Sequence, residues 1–574
     1  MRKLLLTILV FLPTLLSSQN IGGQYYVALD GDDTSPGTYN QPWGTWQKAF
    51  ATAQAGDTVY FRGGRWLPLK VVPSTNAAVY HSPTQAPTIG YSGTKENPIC
   101  FFNYPGETPI LDCKKIDMSG RRFNGAISLH GSHFIHIKGL QITNVFQPSS
   151  GELASGLGAS ICSNLTIENV EVSYVGGRGM SYWGIAGHPE AAHIPYDTTR
   201  YINCDVYNCI DLKSKVPGNG SDGWKLDNES AGYLYFYGCR AWSCGDDGFD
   251  ISGPGVTIFD HCWSFNHNFP NAPDGNGFKF GGNRGDNASI DPNGQLILGT
   301  PVEGVRKIVK NCIAVNNIGV GLYDLGYKPY YPNNARVYNN SLYKNGIGIQ
   351  MAINKEYSGQ TPCVYRNNII YGTRERDAAG KIYNLSVTAI YIESNNTWKF
   401  ADSSIVGSLP WWIPNDELTV TDDDFISLDW SQLSNPRKAD GSLPDISFMK
   451  LDPSSKLIDA GVDVGIPYYG KKPDLGYAEY NPNEVFEKTP PYSGESEIKI
   501  FPNPAKNEVW IQTKEPGQYS FTLYSISGQV VVRGQKNLDW EIKNHFYLPP
   551  VMAGVYILEL KKEEKRFLNK LIIQ

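Results

Sequence analysis

The chain has 574 residues, with 50 Lys and Arg against 56 Asp and Glu, a formal net charge of −6. Fifty-nine glycines, 37 prolines, 12% aromatic residues and only 18% charged residues exclude a coiled coil, a collagen or a disordered acidic tail. The acidic balance leaves no electrostatic footprint for nucleic acid, and a chain of this charge that binds an anion needs a local cation, from basic side chains or a bound metal.

The chain opens Met1-Arg2-Lys3, then runs apolar from Leu4 to Leu16 and exits through Ser17-Ser18-Gln19. A basic start, a short apolar run and small residues predict a secretory signal over residues 1–18. The run is too short to span a bilayer comfortably, and no later stretch approaches about 18 apolar residues, so no transmembrane segment is expected. Residues 46–55 carry apolar residues at helical spacing and are followed by Gly56-Asp57-Thr58-Val59-Tyr60-Phe61. This predicts a capping helix and then the first strand.

From about residue 134 to 372 a loose unit repeats. Cys204, Cys239, Cys262 and Cys312 fall in one column, with Ser341 in the fifth place. Four positions later stand Asn208, Ser243, Asn266, Asn316 and Asn345, which fit a ladder of amides bonding from coil to coil. A third column reads Asp222-Gly223-Trp224-Lys225, Asp247-Gly248-Phe249-Asp250, Asn276-Gly277-Phe278-Lys279, Val320-Gly321-Leu322-Tyr323 and Ile347-Gly348-Ile349-Gln350. Its glycine is expected to make a turn, its third residue to point inward and its fourth outward, because strand side chains alternate. Short strands in register with loops of unequal length predict an all-β, right-handed parallel β-helix. A β-propeller needs more even spacing, and a β-sandwich repeats no columns. The ten cysteines include no C-x-x-C pair, so a zinc site is not expected. Most read as small buried core residues, with disulfides 204–209 or 239–244 left open.

Between residues 219 and 282 the outward positions change character. Asp222, Asp246, Asp247 and Asp250 fall on two aligned coils, and Asp250 stacks between Lys225 and Lys279. Four carboxylates so close repel one another, and a hard divalent cation such as Ca2+, which takes six to eight oxygen ligands, offsets that. Asp beside Gly is also common at turns for turn reasons alone. Lys279 has small or apolar neighbours, which leaves room for a ligand. Beside Ca2+ and partly desolvated, its pKa is expected to fall, which suits a general base. Arg178 and Arg284 sit at turns and read equally as contacts for a uronate carboxylate or as surface turn arginines; Lys225 is the weaker candidate for the base, with pairing to Asp250 or contact with substrate as its other readings. Tyr182, Trp183, Tyr323 and Tyr327 are candidates to stack sugar rings, although aromatic residues on solenoids are more often core. His188 and His193 read as loop residues.

Past residue 372 the repeat degrades, and Leu457-Ile458-Asp459-Ala460-Gly461 with Pro473-Asp474-Leu475-Gly476-Tyr477 are expected to close the far end. The predicted boundaries are a β-helix domain over 19–490, a linker over 491–497 and a small β-sandwich over 498–574. The last segment carries Phe501-Pro502-Asn503-Pro504-Ala505, Leu523-Tyr524-Ser525-Ile526-Ser527-Gly528, Ala553-Gly554-Val555-Tyr556-Ile557 and Lys570-Leu571-Ile572-Ile573-Gln574. It resembles the C-terminal sorting domain of type IX secretion substrates. The resemblance implies export through the periplasm and outer membrane, to the cell surface or beyond, by the type IX machinery.

The motifs Ser221-Asp222-Gly223-Trp224-Lys225, Cys244-Gly245-Asp246-Asp247-Gly248-Phe249-Asp250 and Asn276-Gly277-Phe278-Lys279 resemble polysaccharide lyase family 9, the pectate lyase L-like and exopolygalacturonate lyase group, over about residues 25–480. The resemblance implies a secreted, calcium-dependent lyase acting on an acidic plant-type polysaccharide. It implies Asp222, Asp246, Asp247 and Asp250 as calcium ligands and Lys279 as the base of a β-elimination. Homogalacturonan (pectate) is the first substrate expected, rhamnogalacturonan I the second, and the enzyme is expected to be a monomer. A polygalacturonase-like hydrolase on the same fold would share Gly245-Asp246-Asp247 and use paired carboxylates, but no Gly-His-Gly or Arg-Ile-Lys follows residue 250. A non-catalytic glycan-binding β-helix is the other alternative, since fold does not imply function.

Overall fold

The computed structural model describes residues 22–70, 72–73, 92–118, 125–183, 198–228, 232–269, 274–281, 289–290, 296–297, 304–326, 333–353, 362–373, 391–400, 412–484 and most of 498–573. The chain forms two compact units, residues 1–489 and 490–574. The predicted signal segment lies outside the described residues.

The first unit is a parallel β-helix, as the columns predict. Among the described residues, sheets of twelve, nine and ten strands run side by side along its length, with partners on successive coils in each. The coils begin earlier than the repeat suggested. The strand Gln24–Val27 precedes the helix Trp46–Thr52 and pairs in parallel with Thr58–Phe61. The predicted capping helix is therefore present but shorter, and it follows the first strand. Its buried Trp46, Ala49 and Phe50 join the core, where Phe50 stacks on Phe101 at 3.9 Å.

Side-chain alternation fixes what each coil turns inward. Trp224, Phe249 and Phe278 stack in one inward file at 4.6 and 5.0 Å. Tyr201, Phe236 and Phe259 form a second at 4.8 Å per step. Each ring is buried, and removing one leaves a cavity between two others. The files therefore hold the coils in register, and register decides which outward residues meet.

The polar columns stack from coil to coil, with two corrections, and the one at the corner is half-buried. Ile313 pairs with Ser341, so Cys312 stands over Asn340, one residue earlier than expected. The thiol column Cys204, Cys239, Cys262 and Cys312 continues as an amide ladder, in which Asn340 Nδ2 donates to Asn368 Oδ1 and Asn368 Nδ2 to Asn396 Oδ1, each at 2.9 Å. Asn345 likewise leaves its expected column and lies inside, accepting from Asn317 Nδ2 at 2.9 Å. Asn208, Ser243, Asn266, Asn316 and Lys344 make up the column at the corner, all with φ between 53° and 61°. All ten cysteines are free.

The glycines of the third column make no left-handed turn. They permit close stacking instead: a Cβ on Gly223 would lie 2.5 Å from Gly248 O, and one on Gly277 2.5 Å from Gly321 O.

Residues 457–461 and 473–477 do not simply close the end. Leu457 and Leu475 pack with Ile313, Val315, Tyr343 and Ile369 on the flank of the ten-stranded sheet. Asn339 Nδ2 donates to Asp474 O, and Tyr477 N to Ser341 Oγ. The same flanking segment is tied down by Asp205, whose carboxylate takes both Arg240 and Arg437. The exposed backbone and apolar face of that sheet are covered in this way.

The second unit has antiparallel sheets of three and four strands around a core that includes Val509, Ile511, Leu523, Leu558, Leu560 and Leu571. It is the small β-sandwich expected from the sequence.

Candidate active site

The nine-stranded sheet carries the unusual residues. Its pairings align Ser128, Gly158, Ser181, Lys225, Asp250, Lys279, Tyr323 and Gln350 in one row along the β-helix. They occupy the positions opposite in direction to the inward aromatic file, so stacking of Trp224, Phe249 and Phe278 is what sets Lys225, Asp250 and Lys279 side by side. Three residues earlier on each coil comes a parallel column: Arg178, Asp222, Asp247 and Asn276.

Charges meet across coils. Lys225 Nζ lies 2.5 Å from Asp250 Oδ2. Lys279 Nζ lies 2.9 Å from Asp247 Oδ2, 3.8 Å from Asp250 Oδ2 and 3.0 Å from Asp274 Oδ2. Arg178 Nε stands 3.9 Å from Asp222 Oδ2. Asp247 is fully buried and well supported: Asn276 donates to its Oδ1 from Nδ2 at 2.7 Å and from its backbone N at 3.1 Å. Asn276 Oδ1 in turn accepts from Val320 N at 2.7 Å. Asn276 therefore couples the acidic column to the next coil.

The four predicted aspartates divide into two overlapping groups. Asp222, Asp247 and Asp250 each offer an oxygen within 4.8 Å of the others, and so do Asp246, Asp247 and Asp274. Asp247 is common to both. Buried Asp246 Oδ1 and Asp250 Oδ1 accept no hydrogen bond. Oxygen-only donors, densely placed and partly unsatisfied, fit a hard divalent cation such as Ca2+; they are a poor fit for zinc.

The electrostatics agree with crowding. Burial, with Asp250 and Asp247 nearby, pushes Asp222 up to about 8. Burial, with Asp247 and Asp222, pushes Asp246 up to about 10. Asp247 is also raised, chiefly by burial. Asp250 goes the other way, because Lys225 and Lys279 outweigh the burial that would raise it. For Lys279, burial alone lowers the pKa, but Asp247, Asp250, Asp274 and Asp246 outweigh it and hold the ammonium well above the ordinary lysine range. That is opposite in direction to the lowering expected beside a divalent cation: with only the chain's own groups around it, Lys279 is an ammonium.

Tyr323 is half-buried beside Lys279 in the outward row. Tyr182 is core: it is buried, and its hydroxyl donates to Cys162 O at 2.6 Å. Arg284, Tyr327, His188 and His193 lie outside the described residues, as does the Trp183 side chain. Two site residues were not singled out by sequence. Asn276 was visible only as the polar column-mate of two aspartates. Asp274 has no acidic column-mate, so only the fold brings it in, through its contact with Lys279 and its approach to Asp246 and Asp247.

Comparison with known proteins gives the following. Residues 25–368 match the family model described as the Pel9A-like right-handed β-helix region, and residues 499–574 match the secretion system C-terminal sorting domain. The chain is 26% identical over 469 residues to pectate lyase L of Dickeya chrysanthemi, covering 80% of this chain and 90% of that one. It is 23% identical over 456 residues to pectate lyase PEL9 of Emericella nidulans, covering 75% and 92%. The crystal structure of pectate lyase Pel9A superposes with a TM-score of 0.55 at 24% identity, over 80% of this chain and 96% of that one; at that identity the likeness speaks for the fold.

Proposed function

The chain belongs to the Pel9A-like right-handed β-helix family, and on that premise we propose that it is a calcium-dependent lyase that cleaves pectic polyuronate by β-elimination, with Lys279 as the base. By family and relatives the chain is a polysaccharide lyase of the pectate lyase type. The observation that carries the finer reading is the juxtaposition of Lys279 with buried Asp247 and Asp250 on one sheet face, beside carboxylate oxygens that no hydrogen bond satisfies.

Asp222, Asp246, Asp247 and Asp250 would hold the cation. Bound there, Ca2+ would draw charge from the uronate C6 carboxylate and so acidify the proton at C5. Lys279, unprotonated, takes that C5 proton. The C–H electron pair forms the C4–C5 double bond, and the glycosidic oxygen leaves C4 with its bonding pair and takes up a proton, which balances the one removed from C5. The products are a 4,5-unsaturated sugar and a new chain end, and no water is consumed. Lys225 and Arg178, and Arg284 on sequence grounds alone, are proposed to hold substrate carboxylates, and Tyr323 to face a sugar ring.

The sorting domain indicates export by type IX secretion to the cell surface or outside. We take residues 1–18 as the leader for the periplasmic step and the enzyme as a monomer. Among the described residues no helix is long and apolar enough to cross a membrane.

The test is ultraviolet absorbance of the unsaturated uronate, with polygalacturonate and rhamnogalacturonan I run side by side, each with calcium and with chelator. A calcium-dependent rise on polygalacturonate is expected. A rise on rhamnogalacturonan I alone would reassign the substrate. New reducing ends without absorbance would overturn the elimination.

A further inference from the structure

Asp274 stands outside every aligned column, yet its Oδ2 accepts from Lys279 Nζ at 3.0 Å. The Lys279 ammonium is thus held from two sides, by Asp274 and by Asp247. The two anchors differ in what else they do. Asp247 Oδ1 is already taken twice by Asn276, and Asp247 shares both groups of converging carboxylates. Its oxygens are the ones a divalent cation would claim. Asp274 is at the rim, with 43% of its side chain exposed.

The backbone that carries Asp274 is clamped. Gly319 N donates to Gly275 O at 3.0 Å, and Val320 N to Asn276 Oδ1 at 2.7 Å. A Cβ on Gly319 would lie 2.6 Å from Asp274 O, so the two coils touch at this point. Asp274 is therefore a fixed post for a side chain with four rotatable bonds, whose freedom is costly to restrain by other means.

We propose that Asp274 is a positioning residue for the elimination: it keeps Lys279 Nζ over the sheet row, between Asp250 and Tyr323, when Asp247 turns its oxygens to a cation. The inference rests on the lyase reading above. Misplacing a reacting group by about 1 Å can cost on the order of a hundredfold in rate.

The full chain and its Asp274→Ala and Asp274→Asn variants would be compared for kcat, KM on polygalacturonate, calcium affinity by titration calorimetry and thermal midpoint. For Asp274→Ala, kcat should fall roughly ten- to hundredfold while KM stays within about twofold, with calcium affinity and midpoint unchanged. Asp274→Asn, which keeps an oxygen to accept from Lys279, should recover part of the loss. An active wild type with an unchanged Asp274→Ala kcat would overturn the proposal alone. So would a large loss of calcium affinity in both variants, which would make Asp274 a cation ligand, or an Asn variant no better than Ala. A wild type that forms no unsaturated product on either polymer would overturn the lyase reading, and this proposal with it.

Discussion

Lys279 Nζ and Asp247 Oδ2 are 2.9 Å apart, the carboxylate fully buried and the lysine largely so, so the proposed base and a proposed metal ligand share one contact. The pair joins two coils, since Asp247 and Lys279 stand 32 residues apart in sequence. What happens to one is felt by the other.

Lys279→Ala should abolish turnover and leave calcium binding intact. General-base groups contribute roughly 10²- to 10⁴-fold in rate, and deleting an ammonium beside Asp247 removes a competitor for its oxygen. Progress curves for product, paired with a calcium titration of the same preparation, check both halves. Wild-type-like activity would remove Lys279 from the mechanism.

Calcium affinity should rise with pH. Asp222 and Asp246, pushed up to about 8 and about 10, hold protons at neutral pH that a cation must displace. Below those values affinity should fall by up to about tenfold per pH unit for each proton displaced. Calorimetry in buffers of different ionisation enthalpy would reveal the proton release. The base must also be unprotonated, so activity should rise toward alkaline pH. A pH-independent calcium affinity would contradict the electrostatic account.

Asn276→Ala should weaken both the site and the fold. It deletes the amide bond to Asp247 Oδ1 and leaves Val320 N without its acceptor. A buried group left unsatisfied costs about 1–3 kcal/mol, so a lower thermal midpoint and weaker calcium binding are expected together. A full calcium affinity in the variant would show that Asp247 needs no such support.

Phe249→Ala should destabilise without touching a polar group of the site. The ring lies between Trp224 and Phe278, and truncating a buried Phe costs about 3–5 kcal/mol. Denaturant unfolding followed by tryptophan fluorescence would measure it. Activity per folded molecule, assayed well below the midpoint, should fall as well, because Asp250 is the next residue along the strand.

Much of this was legible because a solenoid writes its contacts into repeating columns. Asp222 over Asp247, and Lys225, Asp250 and Lys279 in a row, follow from aligning short motifs around a glycine and a large apolar residue. The slip at Ser341 has a physical cause. Serine resembles the cysteine it was aligned with, whereas the true occupant, Asn340, is larger and is accepted there because its amide pairs with Asn368 and the backbone. Tyr182 stays open between ring stacking and core in the sequence for a different reason: an aromatic residue carries no mark of which face of its strand it occupies until the register is known, and the register puts it in the core.

The sequence by itself determined the coil repeat, the inward aromatic file, the two-part organisation and the identity of five charged residues at one site, since alternation along a strand and stacking between coils are local rules. Only the tertiary structure decided that Asp246 groups with Asp274 around Asp247, that Asn276 braces the acidic column, and that Asp274 reaches Lys279. Those relations depend on where loops of unequal length return to the stack. Loop return is set by packing between coils and leaves no period in the chain.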